Sequence, residues 1–418
     1  DAVLDKICET ADDLGIHSWS LWLEPLPDRM TVDDFRRRFP HRTVDDPTTV
    51  VCQIGIVDDP SRQDQHPLSL DFAAIDSLIV YGQTSFGTES VVSAIFDVLI
   101  RDYGPDAVNL YAFDMGDGGL ASFEKAPQVG GVALIDDKER VSSLMNYLSR
   151  VIRNRRLLLS SLGERYEDYL AEHRQGDSTP PMQRIIVALT NMVAFTEAYP
   201  QFADRLVDLV HEGPRYGVHF VVTSSGFNQV NWRLRALFGL SIVTAFASED
   251  EYGSLLGSMS GTVPPRHYLR GLLMEKGEKH EFQVADAGSN HEIRERCQQL
   301  EGSWDGLRAA PIPHLPAVVS PGVFLTSGAD LSPRRIPLGF DKQQVSPFLA
   351  DGSKAPAFIV TGNDSEALAD FGKGLCALYR SLSVKDGRQV LVIDPIKIIG
   401  QRSMRQASGL GGETSDPS

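Results

Sequence analysis

Residues 78–96 read LIVYGQTSFGTESVVSAIF. An apolar run meets Gly82, a second glycine stands at Gly87, and an apolar helical pattern follows. In the helix expected over 89–104, Val92, Ile95, Phe96 and Leu99 fall on one face. The same alternation runs through the chain. TVVCQIGIVD (49–58), VNLYAFDMG (108–116), RIIVALTN (184–191), VHFVVTSS (218–225) and LSIVTAFAS (240–248) read as strands. Residues 136–163 and 202–217 read as helices between them. Strands alternating with helices require a parallel sheet covered on both faces, an α/β fold.

The loop raises a chemical question. A working phosphate loop reads G-x-x-x-x-G-K-[ST]: backbone amides cradle the phosphates, the lysine neutralises them, and the hydroxyl holds Mg²⁺. Gly82 and Gly87 keep the turn, but the lysine position is Thr88 and the Ser/Thr position is Glu89. Two unit charges about 4 Å apart interact by roughly 4 kcal/mol at an effective dielectric of about 20. Losing the lysine and gaining a carboxylate therefore removes several kcal/mol of affinity. Glu89 also suits a helix N-terminus by itself and can serve the dipole that a phosphate would otherwise serve.

Composition excludes some classes. A formal charge of −16 over 418 residues argues against a grip on nucleic acid, which needs a basic stripe. Four scattered cysteines form no C-x-x-C or Cys/His cluster, so neither zinc nor a disulfide framework is suggested, and a reducing compartment fits. No run of eighteen apolar residues is present. The chain does not begin with Met and is read as a piece of something longer.

The pattern then restarts. After the proline-rich stretch 305–322, residues 334–382 echo 59–100, and QVLVIDP (389–395) stands where VNLYAFD stood. In this second copy Gly362 remains, while Ala367, Leu368 and Ala369 replace the second glycine, the lysine and the hydroxyl. The last fourteen residues are polar and glycine-rich and are expected to be loosely ordered.

Residues 50–290 resemble a non-leading ATPase domain of the EccC/EssC type, the FtsK/SpoIIIE-family motors of type VII (ESX) secretion. The stretches that carry the resemblance are IVDDPSRQDQHPLSLDF, YAFDMGDGGLASFEKAPQVGGV, YGVHFVVTSS, WRLRALFGLSIVTAF and YLRGLLMEKGEKHEFQVA, in that order, after a WLEPLP lead-in at 22–27. The resemblance implies RecA-like domains in tandem: the end of a preceding domain and a linker over 1–40, a degenerate ATPase domain over 41–304, a linker over 305–332 and the start of a second domain over 333–418. It also implies a place on the cytoplasmic face of a membrane and neighbouring ATPase domains as partners, in a hexamer in the full assembly. WXG100-type effectors are the expected cargo.

A strand of the family should end in an aspartate that organises magnesium. Here Thr190 holds that position, with Asn191 after it, so Mg²⁺ is not expected. Thr223 to Ser225 match the family's polar sensor, and Asp114 and Asp117 either face a ligand at the sheet edge or cap a loop. Two readings follow. In the first, the module docks, recruits or regulates without hydrolysing ATP. In the second, Gly82, Gly87, Thr88, Glu89 and Asn191 form a residual site for weak ATP binding or slow turnover. DNA translocation is a third reading, which the charge disfavours. Trp19 and Trp22 in the linker are expected either to dock on a neighbouring ATPase surface or to fill their own domain's edge.

Overall fold

The computed structural model describes residues 2–14, 23–40, 49–172, 182–246, 248–260, 262–315, 319–326, 330–332, 334–341, 347–354 and 359–385. The chain divides into two compact units, Asp1–Ile312 and Pro313–Ser418.

In the first unit, ten strands form one sheet. They are β1 (Val51–Asp59), β2 (Asp64–Asp71), β3 (Leu78–Tyr81), β4 (Val108–Asp114), β5 (Val129–Leu134), β6 (Arg184–Thr190), β7 (Val218–Ser224), β8 (Leu240–Thr244), β9 (Arg270–Glu275) and β10 (Glu278–Val284). Their order is β2-β1-β10-β9-β8-β3-β7-β6-β4-β5. From β8 to β5 every neighbour is parallel. From β8 back to β2 every neighbour is antiparallel. The α/β architecture with a mostly parallel sheet is therefore present, extended by an antiparallel half.

The period of two along each strand divides the core. Leu78 and Val80 face one side with Leu110 and Ala112, packed by the helices Thr88–Asp102 and Asn290–Ser303. Ile79 and Tyr81 face the other with Tyr111 and Phe113, packed by Lys138–Leu162, Met192–Ala198 and Ala203–Glu212. Helices on both faces bury the parallel strands completely: β4, β6 and β7 have no exposed residue.

The helix expected at 89–104 runs Thr88–Asp102, with all four of its predicted core residues buried. The expected strand regions contain β1, β3, β4, β6, β7 and β8. The sequence reading had no strand for β2, β5, β9 or β10 and no helix for Asn290–Ser303.

Two boundaries differ from the sequence reading. The segment before residue 41 is not only a linker: Leu26, Met30, Val32 and Phe35 are core residues, and the Arg270 guanidinium donates to the carbonyls of Leu26 and Pro27, each at 2.7 Å. The first unit also extends past residue 304, because the amides of Ala309 and Ile312 donate to Pro127 and Gly130 at 2.9 and 3.0 Å beside β5. Trp19 and Trp22 lie outside the described residues.

In the second unit, β11 (Arg335–Phe340) and β12 (Pro347–Asp351) form a hairpin. The helix Ser365–Lys385 follows. Phe324, Ile336, Leu378 and Leu382 make its small core. The strand expected at 389–395 and the glycine-rich tail lie outside the described residues.

Candidate functional site

Every motif position of the first unit lies at the C-terminal edge of the parallel strands, where ligands bind in open α/β sheets. β3 delivers the chain to Gly82 and the helix Thr88–Asp102 carries it away. Between them Thr84–Phe86 form a 3₁₀ turn. That turn consumes amides a phosphate would need: Phe86 donates to the Gln83 carbonyl and Gly87 to the Thr84 carbonyl, each at 3.0 Å. The Gly82 and Gln83 amides are held by the carbonyls of Ser224 and Ala245, each at 3.1 Å.

Packing alone accounts for both glycines. Gly82 has φ +150°, and a methyl there would collide with the Thr244 hydroxyl. Gly87 has φ +89°, and a methyl there would approach the Tyr268 ring to 2.9 Å. Tyr268 is fixed in turn, its hydroxyl 2.7 Å from the Ser90 hydroxyl. A glycine pair at this spacing is required by the turn whether or not a phosphate binds it.

Thr88, at the lysine position, is buried. Its hydroxyl donates to the Gln83 carbonyl at 2.9 Å and lies 2.8 Å from the Thr244 hydroxyl. It closes the loop on itself and offers no charge. Glu89 stands in the first turn of its helix, where a carboxylate meets the positive end of the dipole as its position suggested, but it does not cap the helix by a hydrogen bond. The cap is Gly87, which makes no side-chain hydrogen bond. The Glu89 carboxylate turns instead onto Gly116, where a methyl would stand 2.6 Å from both carboxylate oxygens. Burial pushes its pKa up to about 7, and the carboxylates of Asp117 and Asp114 push the same way.

Asp114 and Thr190 form one buried unit. The Thr190 hydroxyl donates to Asp114 Oδ1 at 2.9 Å and accepts the Met115 amide at 3.0 Å. Asp114 also accepts the amides of Gly116 and Leu120, at 3.2 and 3.0 Å. Asp117 accepts the Gly119 amide at 2.9 Å. Of the two roles open to these aspartates, loop capping is the one their hydrogen bonds serve.

Asn191 adopts φ +52° and caps the helix Met192–Ala198, its side chain accepting the Ala194 amide at 3.1 Å. Its own amide donates to the Thr223 hydroxyl at 2.8 Å. The Ser224 hydroxyl donates to the Gly226 carbonyl and the Ser225 hydroxyl to Gln229. The structure thus brings Gly82, Gly87, Thr88 and Glu89 into one turn, with Thr190 and Asn191 along the same sheet edge, and it engages the side chains of Thr88, Thr190 and Asn191 in structural hydrogen bonds.

The cavity beside the turn measures about 80 Å³ and is lined by Glu89, Asp117 and Asp286 among others, with no lysine or arginine. Small-molecule sites run to about 300–1,000 Å³. What remains for an anion is the helix N-terminus at Gly87, which no side chain caps.

In the second unit, Gly362 precedes a helix that is capped outright. Asp364 accepts the amides of Glu366 and Ala367 at 2.9 and 3.1 Å.

Sequence reasoning missed Thr244 and Tyr268, which hold the loop, and Trp232, whose side chain is 68% exposed. It also missed a histidine–carboxylate cluster on β1 and β10. The dipeptide Lys276–Gly277 was the available signal for the hairpin that builds it: both residues have positive φ, as a tight two-residue turn requires.

The FtsK/SpoIIIE family model matches residues 40–252. The ESX secretion system protein YukB of Bacillus subtilis is 24% identical over 87% of this chain and 24% of its own length. The ESX secretion system protein EccC of Thermomonospora curvata is 26% identical over 74% of this chain and 24% of its own length. The chain thus spans about a quarter of the length of these relatives. Among solved structures, ATPases 2 and 3 of Thermomonospora curvata EccC, in complex with a signal sequence peptide, superpose with a TM-score of 0.69 at 21% identity, covering 91% of this chain and 71% of that one. ATPases 2 and 3 of EssC from Geobacillus thermodenitrificans give 0.69 at 20% identity, covering 90% of this chain and 74% of that one.

Proposed function

The chain belongs to the FtsK/SpoIIIE family, and from that premise we propose that it is a non-hydrolysing ATPase-fold module of a type VII secretion motor. One observation carries this reading. The turn that should hold phosphate is closed by its own carbonyls and by Thr88, with an acidic cavity beside it. Neither a lysine nor a magnesium-organising aspartate stands at the motif positions. A domain that keeps the shape but not the chemistry serves through its surfaces. It recruits WXG100-type effectors and transmits their arrival to neighbouring ATPase domains, in a hexameric assembly on the cytoplasmic face of a membrane. The signal sequence peptide bound by the EccC ATPases 2 and 3 supports such a role for this chain. Exposed Trp232 suits an aromatic anchor in a contact of this kind. No helix among the described residues is long and apolar enough to cross a membrane; the anchoring is assigned to the motor as a whole.

The test is a titration of a labelled C-terminal tail of a WXG100-type effector into the 418-residue chain, with Trp232→Ala as the comparison. Saturable binding at micromolar concentration supports recruitment, and no binding by any effector tail overturns it.

A second reading has one observation in its favour. The helix N-terminus at Gly87 lacks a side-chain cap, so a phosphate still finds a favourable dipole there. On this reading ATP binds weakly and stabilises the loop without being cleaved.

A further inference from the structure

Away from the loop, at the end of the antiparallel half, β10 and β1 bring together side chains that are far apart in the chain. Their register sets Asp58 opposite Glu281, so the next pair outward is Asp59 with His280. His280 is only 6% exposed, and its buried Nδ1 has no hydrogen-bond partner. That nitrogen lies 3.9 Å from Asp59 Oδ1, while Nε2 lies 4.0 Å from Glu278 Oε2. One ligand atom from each of Asp59, Glu278 and His280 falls within a sphere of mutual distances below 4.8 Å. The three line a cavity of about 380 Å³, with His66 and Glu275 across it.

We propose that Asp59, Glu278 and His280 form a binding site for a divalent zinc ion, held by one ring nitrogen of His280 and the two carboxylates, with water completing the shell. Buried polar atoms in folded proteins are almost always partnered, so an orphaned imidazole nitrogen facing a carboxylate requires a reason. A cation supplies it. Imidazole with carboxylate is a donor set for zinc and its neighbours, whereas magnesium and calcium favour oxygen alone. Zinc bonds to nitrogen and oxygen of about 2.0–2.2 Å place ligand atoms roughly 3.4 Å apart. The separations observed, 3.9 Å from His280 Nδ1 to Asp59 Oδ1 and up to 4.8 Å within the trio, have to close by about 0.5–1.4 Å, which rotation of the exposed Glu278 side chain inward supplies.

The surroundings also suit a bound ion. The Ser61 hydroxyl and the Arg62 amide donate to Asp59 Oδ1 at 2.6 and 3.2 Å and fix the carboxylate, as outer-shell donors do. Two cationic side chains line the cavity, Lys276 and Arg62, and Arg62 is the one paired with the site, its Nε 3.6 Å from Asp59 Oδ2. That side chain is 64% exposed and free to swing into solvent. An ion here would staple the end of the β1–β2 hairpin to β10.

The experiment is a calorimetric titration of zinc chloride into the EDTA-stripped full chain, with melting temperature followed in parallel. The expected result is one saturable site and a melting temperature that rises with zinc. Glu278→Gln, at a side chain 66% exposed, leaves the fold intact without metal and weakens zinc binding at least tenfold. His280→Gln abolishes it; if that variant does not fold, Glu278→Gln decides alone. No saturable binding by the unaltered chain overturns the assignment. So does binding that Glu278→Gln leaves unchanged, because the metal then sits elsewhere.

Discussion

The turns at residues 82–89 and 362–369 share a sequence pattern, and they occupy the helix N-terminus in different ways. In the second unit the cap is direct: Asp364 takes the amides of Glu366 and Ala367 and stands where an anion would. In the first unit no side chain caps the helix. The amides of Phe86 and Gly87 bond to loop carbonyls and those of Gly82 and Gln83 to Ser224 and Ala245, Thr88 seals the turn, and Glu89 turns away to Gly116. The comparison separates glycine from chemistry. Gly82 and Gly87 are retained where the fold gives them positive φ against Thr244 and Tyr268, whereas the second copy does without the second glycine.

The largest expected effect comes from attempting to restore the first turn. Thr190→Asp recreates the aspartate position but buries a second carboxylate against Asp114, replacing a hydrogen bond with repulsion. It should destabilise the first unit by about 3–5 kcal/mol, measured by urea unfolding. A neutral result would mean that Asp114 is not locked as described.

Gly82→Ala follows, at roughly 2–3 kcal/mol, from the strained φ and the collision with the Thr244 hydroxyl. The matching Gly362→Ala should cost under about 0.5 kcal/mol, since no positive φ opposes it and the added methyl meets only the flexible Leu368 side chain, at 3.3–3.6 Å, which gives by a few tenths of an ångström. Equal losses at the two glycines would dissolve the contrast between the turns.

Glu89→Gln sharpens the electrostatic side. The folded pKa of Glu89, about 7, lies above the ordinary 4.5. A raised carboxyl pKa adds stability below the ordinary value, and that stability is lost as pH rises through 7. The neutral glutamine escapes the loss. The variant should therefore match the parent at pH 4.5 and exceed it by about 1–2 kcal/mol at pH 8, a figure reduced for the partial exposure of the group. Melting curves at the two pH values read it directly; a gain that is equal at both would refute the burial argument. Asp364→Ala should cost about 1 kcal/mol, by removing a single helix cap from the second unit.

The parallel half was legible because its strands are uninterrupted apolar runs. VNLYAFD, RIIVALT and VHFVVTS leave few alternatives once both faces are buried. In the antiparallel half only β1 was legible, because the other strands mix polar and apolar residues. β2 reads DQHPLSLD and β10 EKHEFQV, each with polar residues on the half-exposed face. β5 carries two glycines, and the helix Asn290–Ser303 buries only Ile293 and Cys297. At the site, the missing lysine and aspartate could be read from motif spacing. The direction of Glu89 could not, since it depends on Gly116 arriving from β4. Nor could the pairing of Asp59 with His280, which exists only through the β1–β10 register.

The central claim is that the turn at Gly82–Gly87 holds the fold and performs no magnesium-dependent chemistry. The direct measurement is phosphate release from saturating ATP by the purified chain, with Mg²⁺ and with EDTA. The account predicts no release above the protein-free blank in either condition. Release that requires Mg²⁺ and is lost in Thr88→Val, which keeps the volume but removes the hydroxyl, would contradict it.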